Sequence, residues 1–448
     1  MAINPFDKIY KEEQVILSKE TRSRNSLIRR VISELSFPSV YAVVRFQDLS
    51  QRVKSLFHKS VITEFTSYRS GQKIALVAIW EYEVPREDIL ILLQILKEKD
   101  FYVCVVNTGK IKSEIFSDMA SVYIQRFNYG RDFGSYQEGI QYLQRGNKLA
   151  QADKFLLCND SIYFLSDLMP PALEEFLVSD YDVLGATENF EIVPHIGSFF
   201  FLMTNRAVNS KEFKSFWKKF KKTDIRLKNI KYGEMRLSEK LRRGIPEGKM
   251  GAYWSLSFLS EKCDTEESLS QAIRLSNRGH ITGWKKLSWQ FVLKAFLTER
   301  VLFSSDLSRN QGIILQETAA GEPNTSTPEL ILSHQDAVTV IAKQFNKELS
   351  SDSQTDLILK AKGLWVSTAA SGSQIHQNNN LLVSLGCPIV KLDLIYRGAF
   401  SYEDAEIMFD QIKNKDDVYR LRRLLYSRAY GADTLRGWRR SGFEKGLI

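Results

Sequence analysis

Two stretches decide the fold: Arg126-Phe127-Asn128-Tyr129-Gly130-Arg131-Asp132-Phe133-Gly134 and, about a helix and a strand later, Cys158-Asn159-Asp160-Ser161. Each follows a short apolar run that reads as a buried strand, 122–126 before the first and 155–157 before the second. Polar residues at strand ends, with glycines between them, are how an open α/β sheet builds a ligand crevice. Working outward, 74–80 and 101–106 read as two earlier strands and 182–185 and 197–203 as two later ones. Pro85 opens a helix that runs to about Lys99 with Ile89, Leu92, Leu93 and Leu96 inward, and 134–143 reads as another helix. Strands alternating with helices at this spacing predict a mainly parallel, Rossmann-like sheet flanked by helices, over 71–250.

Outside that block the pattern is helical. Residues 1–70 read as an N-terminal helical segment, with one helix carrying Leu27, Ile28, Val31, Ile32 and Leu35 and a second carrying Leu49, Val53, Leu56 and Phe57. A helical extension and linker is expected over 251–330, with 288–299 helical and 318–328 a loop. A mostly helical C-terminal region is expected over 331–448, with helical spacing at 337–345, 375–394 and 405–426. The 448 residues contain no apolar run near the roughly 18 needed to span a membrane, and the N-terminus has no apolar signal-like stretch. Cys104, Cys158, Cys263 and Cys387 lack paired spacing, which predicts reduced thiols in a cytosol and disfavours a disulfide framework or a zinc site.

The net charge of +9 admits three partners: nucleic acid, an anionic membrane surface or a phosphorylated substrate. Basic residues gather at 211–222 and 420–440. The first run reads either as a solvated helix face or, since Phe213, Phe216, Trp217 and Phe220 lie beside the lysines, as peripheral contact with an anionic membrane. No nucleic-acid motif accompanies the charge, so nucleic acid is not expected.

Three clusters can carry chemistry. In 126–134, Gly130 and Gly134 allow close backbone approach to a ligand, and the helix that follows can aim its N-terminal amides at a phosphate; the plainer reading is a turn capped by Asp132. In Asn159-Asp160-Ser161, Asp160 is positioned to hold Mg²⁺ or Mn²⁺ against a diphosphate; the plainer reading is a turn ending the strand. In Tyr232-Gly233-Glu234-Met235-Arg236-Leu237, Glu234 reads as a general base near a helix start, or as a carboxylate placed there by the helix dipole.

The ordered set resembles the layout of GT-A glycosyltransferases. Residues 126–136 resemble the Asn-Gly segment that precedes the acidic motif in family 2 members, and 232–244 their Glu-Asp helix, with Met235 in place of the aspartate. More closely, 106–109, 126–136, 156–161, 182–187, 195–200, 213–217 and 232–244 resemble the rhamnan synthesis protein F family of bacterial polysaccharide glycosyltransferases. Leu385-Gly386-Cys387-Pro388-Ile389-Val390-Lys391-Leu392-Asp393-Leu394 loosely resembles a later segment of such proteins.

That resemblance implies a GT-A-like fold. It also implies transfer of a sugar, often a deoxyhexose such as rhamnose, from a nucleotide diphosphate sugar donor to a lipid-linked glycan acceptor at the cytoplasmic face of the membrane. Arg126, Asn128 and Asp132 would line the nucleotide pocket with Gly130, Asn159 and Ser161, and Asp160 would take the metal or diphosphate role. Glu234 would be the base of an inverting displacement. His195 and Ser198 would face the acceptor, with His195 a rival base. His376 with 378–380 would form an acceptor-side loop. The triplet has one carboxylate where two are usual, which keeps open a non-catalytic member that binds a nucleotide or glycan within an assembly complex.

Overall fold

The computed structural model of the protein describes residues 24–275, 372–398, 402–427 and 435–448, together with Phe400 and a few positions between 362 and 370. Of the expected elements, 288–299, 318–328 and 337–345 lie outside the described residues. By its contacts the chain separates into two compact units, Ser39–Phe258 with Ala370–Ile448, and Met1–Pro38 with Leu259–Ala369. In the described part of the latter, Leu259, Cys263, Leu269 and Ala272 are buried, and Lys362 pairs with Asp264. The cleft described below lies in the former.

Its centre is a mainly parallel sheet flanked by helices, as the alternating pattern predicts. The strands are β1 (Val61–Glu64), β2 (Lys73–Ile79), β3 (Phe101–Asn107), β4 (Val122–Gln125), β5 (Lys154–Asn159), β6 (Ile162–Phe164), β7 (Val183–Asn189), β8 (His195–Ile196), β9 (Phe200–Thr204), β10 (Met250–Trp254) and β11 (Ile389–Lys391). The large sheet runs β1-β4-β3-β2-β5-β9-β7-β10, with β8 added on β7. Pairs β2–β3, β2–β5, β3–β4 and β7–β10 are parallel, whereas β9 runs antiparallel between β5 and β7. Ile74, Leu76, Val105 and Leu157 are wholly buried, which is why these strands read as continuous apolar runs without alternation.

Labelling only the longer helices, α1 is Arg24–Leu56, α2 Glu87–Glu98, α3 Arg131–Arg145, α4 Met169–Val178, α5 Lys211–Lys219, α6 Arg236–Gly244, α7 Tyr402–Gln411 and α8 Lys415–Ser427. The two expected N-terminal helices are one, α1, with Pro38 inside it. Two strands arise where helix was expected. Val61–Glu64 adds to β4 as an antiparallel edge, and Met250–Trp254 runs parallel to β7, where Ala252 and Trp254 bury their side chains. In the C-terminal stretch, 375–394 breaks into short helices because Ile389–Lys391 pairs with β6.

The apolar face of 211–222 does not face a membrane. Phe213, Phe216 and Trp217 of α5 are buried in the core with Phe133 and Tyr136 of α3, Phe133 and Trp217 stacking at 5.9 Å. Burying each such ring contributes roughly 1.5–3 kcal/mol, which no surface position offers. Lys222 pairs with Glu138 at 3.0 Å, and Lys214, Lys218 and Lys219 form the solvated face. Among the described residues no helix is long and apolar enough to cross a membrane. All four cysteines are free and buried.

The C-terminal helices are pinned to the sheet by a buried carboxylate. Asp417 on α8 accepts from Tyr163 Oη (2.8 Å), Ser166 N (2.8 Å) and Ser166 Oγ (2.7 Å), beside a cluster of Leu165, Val390, Leu394, Met408 and Leu421. Asp417→Ala leaves one buried and two half-buried donors without this acceptor and is expected to cost about 2–4 kcal/mol. Thermal melting checks this; an unchanged midpoint would mean the pin carries no weight.

Candidate functional site

The carboxyl ends of β2 and β5 meet at Arg86. Its guanidinium forks onto Asp88 (Nε to Oδ1 3.0 Å, Nη2 to Oδ2 3.1 Å) and donates to the carbonyls of Asp160 (2.9 Å) and Ile162 (2.8 Å). Asp88 Oδ2 also accepts from Phe164 N at 3.1 Å. The turn after β5 is therefore held on both sides. Asp160 Oδ2 accepts from Trp80 N at 2.5 Å, which sets its carboxylate against the end of β2. Glu81 stands there too, 3.8 Å from Arg86. Burial pushes Glu81 up to about 7, Arg86 opposing and Asp160 adding to the rise. Burial likewise raises Asp160, against Arg86 and the Trp80 amide.

Asn159 is the hub of the turn. Its Nδ2 donates to Asp132 Oδ2 (3.1 Å), and its Oδ1 accepts from Ser161 N (3.1 Å) and Ser161 Oγ (2.6 Å). Lys391 Nζ, from β11, reaches Ser161 Oγ at 2.8 Å and lies over the Phe199 ring at 4.8 Å. Asp132 is pushed up to about 6 by burial and by Asp160, against Arg131 and Lys391. Asp132, Asn159, Ser161 and Lys391 open into a cleft of about 960 Å³.

Across that cleft stands Glu234. It does not begin a helix: Arg226–Asn229, a π-helical turn over Ile230–Met235 and α6 form one continuous helical run, so the dipole account of this carboxylate fails. A π-turn inside a helix often marks a functional site. Glu234 Oε1 accepts from Ser198 Oγ at 2.9 Å, and Oε2 lies 3.6 Å from His195 Nε2. His195 is buried, with Nδ1 2.6 Å from the Val193 carbonyl, which requires a proton on that nitrogen. Nε2 then faces a carboxylate and has no hydrogen-bond partner, so attraction requires a proton there as well. Burial opposes that charge, yet Glu234 and the Val193 carbonyl raise the His195 pKa. Burial also opposes the charge of Glu234, yet His195 and Ser198 hold it below the usual carboxylate range. His195 and Glu234 are thus a coupled pair, each favouring the charged form of the other, and Glu234 lines the open cleft.

The structure gathers Asp132, Asn159, Ser161, His195 and Glu234 around the cleft, with Ser198 behind Glu234 and Asp160 at the end of the β5 turn. It does not bring Arg126, Asn128 or Gly130 there. Arg126 is buried in its own turn, donating to Ser135 Oγ at 2.9 Å and to the Tyr129 carbonyl, and borders a separate pocket with Arg52 and Lys222. Asn128 is exposed and outside the cleft lining. The α3 N-terminus is capped by Gly130 in a left-handed conformation, not by Asp132, and the Gly130 amide is taken by Asp224 Oδ1 at 2.6 Å, the place expected for a phosphate. The glycines admit the chain itself: a Cβ at Gly134 would stand 2.5 Å from the Tyr129 carbonyl oxygen, and one at Gly130 2.8 Å from Lys222 Cβ.

Sequence reasoning missed Glu81, Arg86, Arg131, Arg226, Lys391, Asp393 and Arg397. Lys391 and Asp393 fall in the 385–394 segment quoted for its resemblance, the one signal that pointed there. His376 does line the cleft, 3.9 Å from Asp393, but 378–380 is no loop facing a ligand: Asn379 is buried, accepting from Lys391 N (3.2 Å) and donating to the Ile389 carbonyl (3.1 Å). For a divalent cation the candidates are Asp132, which lines the cleft, and Asp160, close enough to raise it. Among the described residues no three His, Cys, Asp or Glu side chains converge on a point, so further ligands would come from the bound substrate.

Residues 101–245 match the family model of Rhamnan synthesis protein F. The matched span runs from β3 to the end of α6 and holds the Asn159 hub and the Glu234–His195 pair. Among curated proteins, the chain is similar to the Virulence protein VirA of Vibrio anguillarum (strain ATCC 68554 / 775), 27% identical over 169 residues, covering 37% of this chain and 53% of that protein. It is also similar to the uncharacterized protein y4gN of Sinorhizobium fredii (strain NBRC 101917 / NGR234), 23% identical over 173 residues, covering 37% and 45%. The chain thus spans about half the length of the curated relatives it matches. Similar solved structures include the glycosyltransferase GlyE of Streptococcus pneumoniae TIGR4 (13% identity, 45% of this chain and 49% of that one, TM-score 0.24). Another is the mannosyltransferase PcManGT of Pyrobaculum calidifontis in complex with GDP-Man and Mn²⁺ (10% identity, 76% and 98%, TM-score 0.24).

The ion pair has a defined pH window. The raised His195 contributes stability that is whole below its unfolded value, about 6.5, and lost as pH rises through its folded value; the depressed Glu234 contributes stability that is whole above about 4.3 and lost as pH falls through its folded value. Both are present in full between about pH 4.3 and 6.5. Glu234→Gln removes the partner and leaves burial opposed mainly by the Val193 carbonyl, so the His195 ring should titrate lower than in the native protein in an NMR titration. An unshifted ring would show that Glu234 does not hold its charge.

Proposed function

We propose that this protein is a glycosyltransferase that moves a sugar from a nucleotide diphosphate sugar to a hydroxyl of a glycan acceptor. The observation that carries the reading is the Glu234 carboxylate, kept ionised by His195 and Ser198, opening into the same cleft as the polar end of β5. The match of residues 101–245 to the Rhamnan synthesis protein F model supports a deoxyhexose such as rhamnose as the sugar and a lipid-linked cell-surface polysaccharide precursor as the acceptor, met at the cytoplasmic face of the membrane.

In the reaction, the acceptor oxygen attacks the anomeric carbon as the bond from that carbon to the phosphate oxygen breaks. The nucleoside diphosphate leaves with the electron pair, and the acceptor proton passes to Glu234. One carboxylate opposite the leaving group suits a single inverting displacement. His195, beside Glu234, and Ser198 favour its ionised form until the proton arrives. Asp132, Asn159 and Ser161 bind the donor, and Lys391 offers positive charge where the leaving group gains negative charge. A divalent cation, Mg²⁺ or Mn²⁺, would be held by Asp160 and Asp132 and would supply further neutralisation of the diphosphate.

Glu234→Gln is expected to lower transfer by roughly 10²–10⁴-fold while leaving nucleotide binding intact. Purified protein supplied with UDP-, GDP- and dTDP-sugars and an acceptor, read by nucleotide release, checks this. Full activity in the variant would remove Glu234 from the chemistry, and no turnover with any donor, acceptor present, would favour a binding role.

A further inference from the structure

Two arginines from distant parts of the chain meet on one carboxylate, and a third lines the same cleft. Arg131 opens α3, Arg226 begins the helical run that leads to Glu234, and Arg397 follows the short helix Leu392–Tyr396. Asp393 lies 3.4 Å from Arg226 Nη2, 3.6 Å from Arg397 Nε and 3.9 Å from His376 Nε2. All five line the cleft beside Lys391. Arg131 Nε also donates to Asp224 O (2.9 Å), and Arg397 Nη2 donates to Ile448 O (3.0 Å) with its guanidinium 4.4 Å from the Phe443 ring centre.

Cations gather in this wall. Arg131, Arg226, Lys391 and Arg397 stand around Asp132 and Asp393, with Asp224 beside Arg131. Burial lowers Arg397, with Asp393 opposing and Arg226 and Arg131 adding to the fall; burial lowers Arg131, with Asp132 opposing and Arg226 adding to the fall. Arg86 is the contrast: forked on Asp88 and near Asp160 and Glu81, it is raised despite burial. Arg86 is a structural arginine with its charge met. The 131–226–397 set crowds like charges together and faces an open cleft.

We propose that Arg131, Arg226 and Arg397, steadied by Asp393, form a subsite for a diphosphate group. Guanidinium forks match phosphate oxygens in pairs, and three arginines lining one cleft, two of them anchored on Asp393, offer N–H groups to two adjacent phosphates. The glycosyltransferase reading supplies the source of the anion, on which the inference rests: the diphosphate of the nucleotide donor or that of the lipid-linked acceptor.

The test is calorimetric titration of inorganic pyrophosphate into the full-length protein and its Arg226→Gln, Arg397→Gln and Arg397→Lys variants, with melting curves to show that each is folded. The native protein should bind, both glutamine variants should bind roughly tenfold or more weakly, and Arg397→Lys should fall between, since it keeps the charge and loses the fork. No binding to the native protein, or unchanged affinity in the folded glutamine variants, overturns the subsite. Repeating the series with UDP, GDP and dTDP and with farnesyl diphosphate assigns the source, because the arginine changes weaken whichever ligand seats its diphosphate here. Arginine-dependent pyrophosphate binding by a protein that transfers no sugar would uphold the subsite and overturn the glycosyltransferase reading alone.

Discussion

The fork of Arg86 on Asp88 is the constraint on which the site depends. One planar cation meets a carboxylate at the start of α2 and two carbonyls on either side of Ser161, while the same carboxylate accepts the Phe164 amide. Loops that follow parallel strands have no ladder to fix them. Here buried charge-assisted hydrogen bonds replace the ladder and give the β5 turn a single geometry. Removing either partner would leave the other buried and unpaired.

With that turn fixed, the cleft is divided by charge. Asp132, Asp160 and Glu81 crowd the sheet end, where each disfavours ionisation of another, and cations crowd the wall built from 226 and from 391–397. Ser161 and Lys391 join the two regions through a single hydrogen bond. Glu234 is within electrostatic reach of both, raising Asp132 and lowered in part by Lys391, while His195 and Ser198 do most to hold its charge against burial. Two carboxylates in one cleft thus have opposite tendencies: Asp132 is raised to about 6 and Glu234 is depressed. Such separation assigns different tasks to the same functional group.

The sheet was legible because buried parallel strands are written as unbroken apolar runs, and 74–80, 101–106 and 155–157 are such runs. Val61–Glu64 was not, since an exposed four-residue edge strand lacks both length and apolar signal. At the site, Asp132, Asn159 and Ser161 were legible from their places at strand ends, and Glu234 and His195 from the resemblance. Arg126 and Gly130 were misleading for a definite reason: a turn that must fold back on itself uses the same residue types as one that grips a ligand. Arg131 stood in the opening stretch but was read only as part of a turn, whereas Glu81, Arg226 and Arg397 each look alone like ordinary surface charge and take their places through tertiary contacts from distant positions.

Lys391 and Ser161 are 230 positions apart, and β11 pairs with β6 over a similar span. Contacts of such separation form late, because the intervening chain must be ordered before they can close. A nascent chain that has emerged only as far as α6 already holds Asp160 with Arg86, Glu234 with His195, and Arg131 and Arg226, yet it lacks Lys391, Asp393 and Arg397. The cleft is therefore built in two stages on the ribosome, and its last wall arrives only when a segment from far downstream pairs with β6.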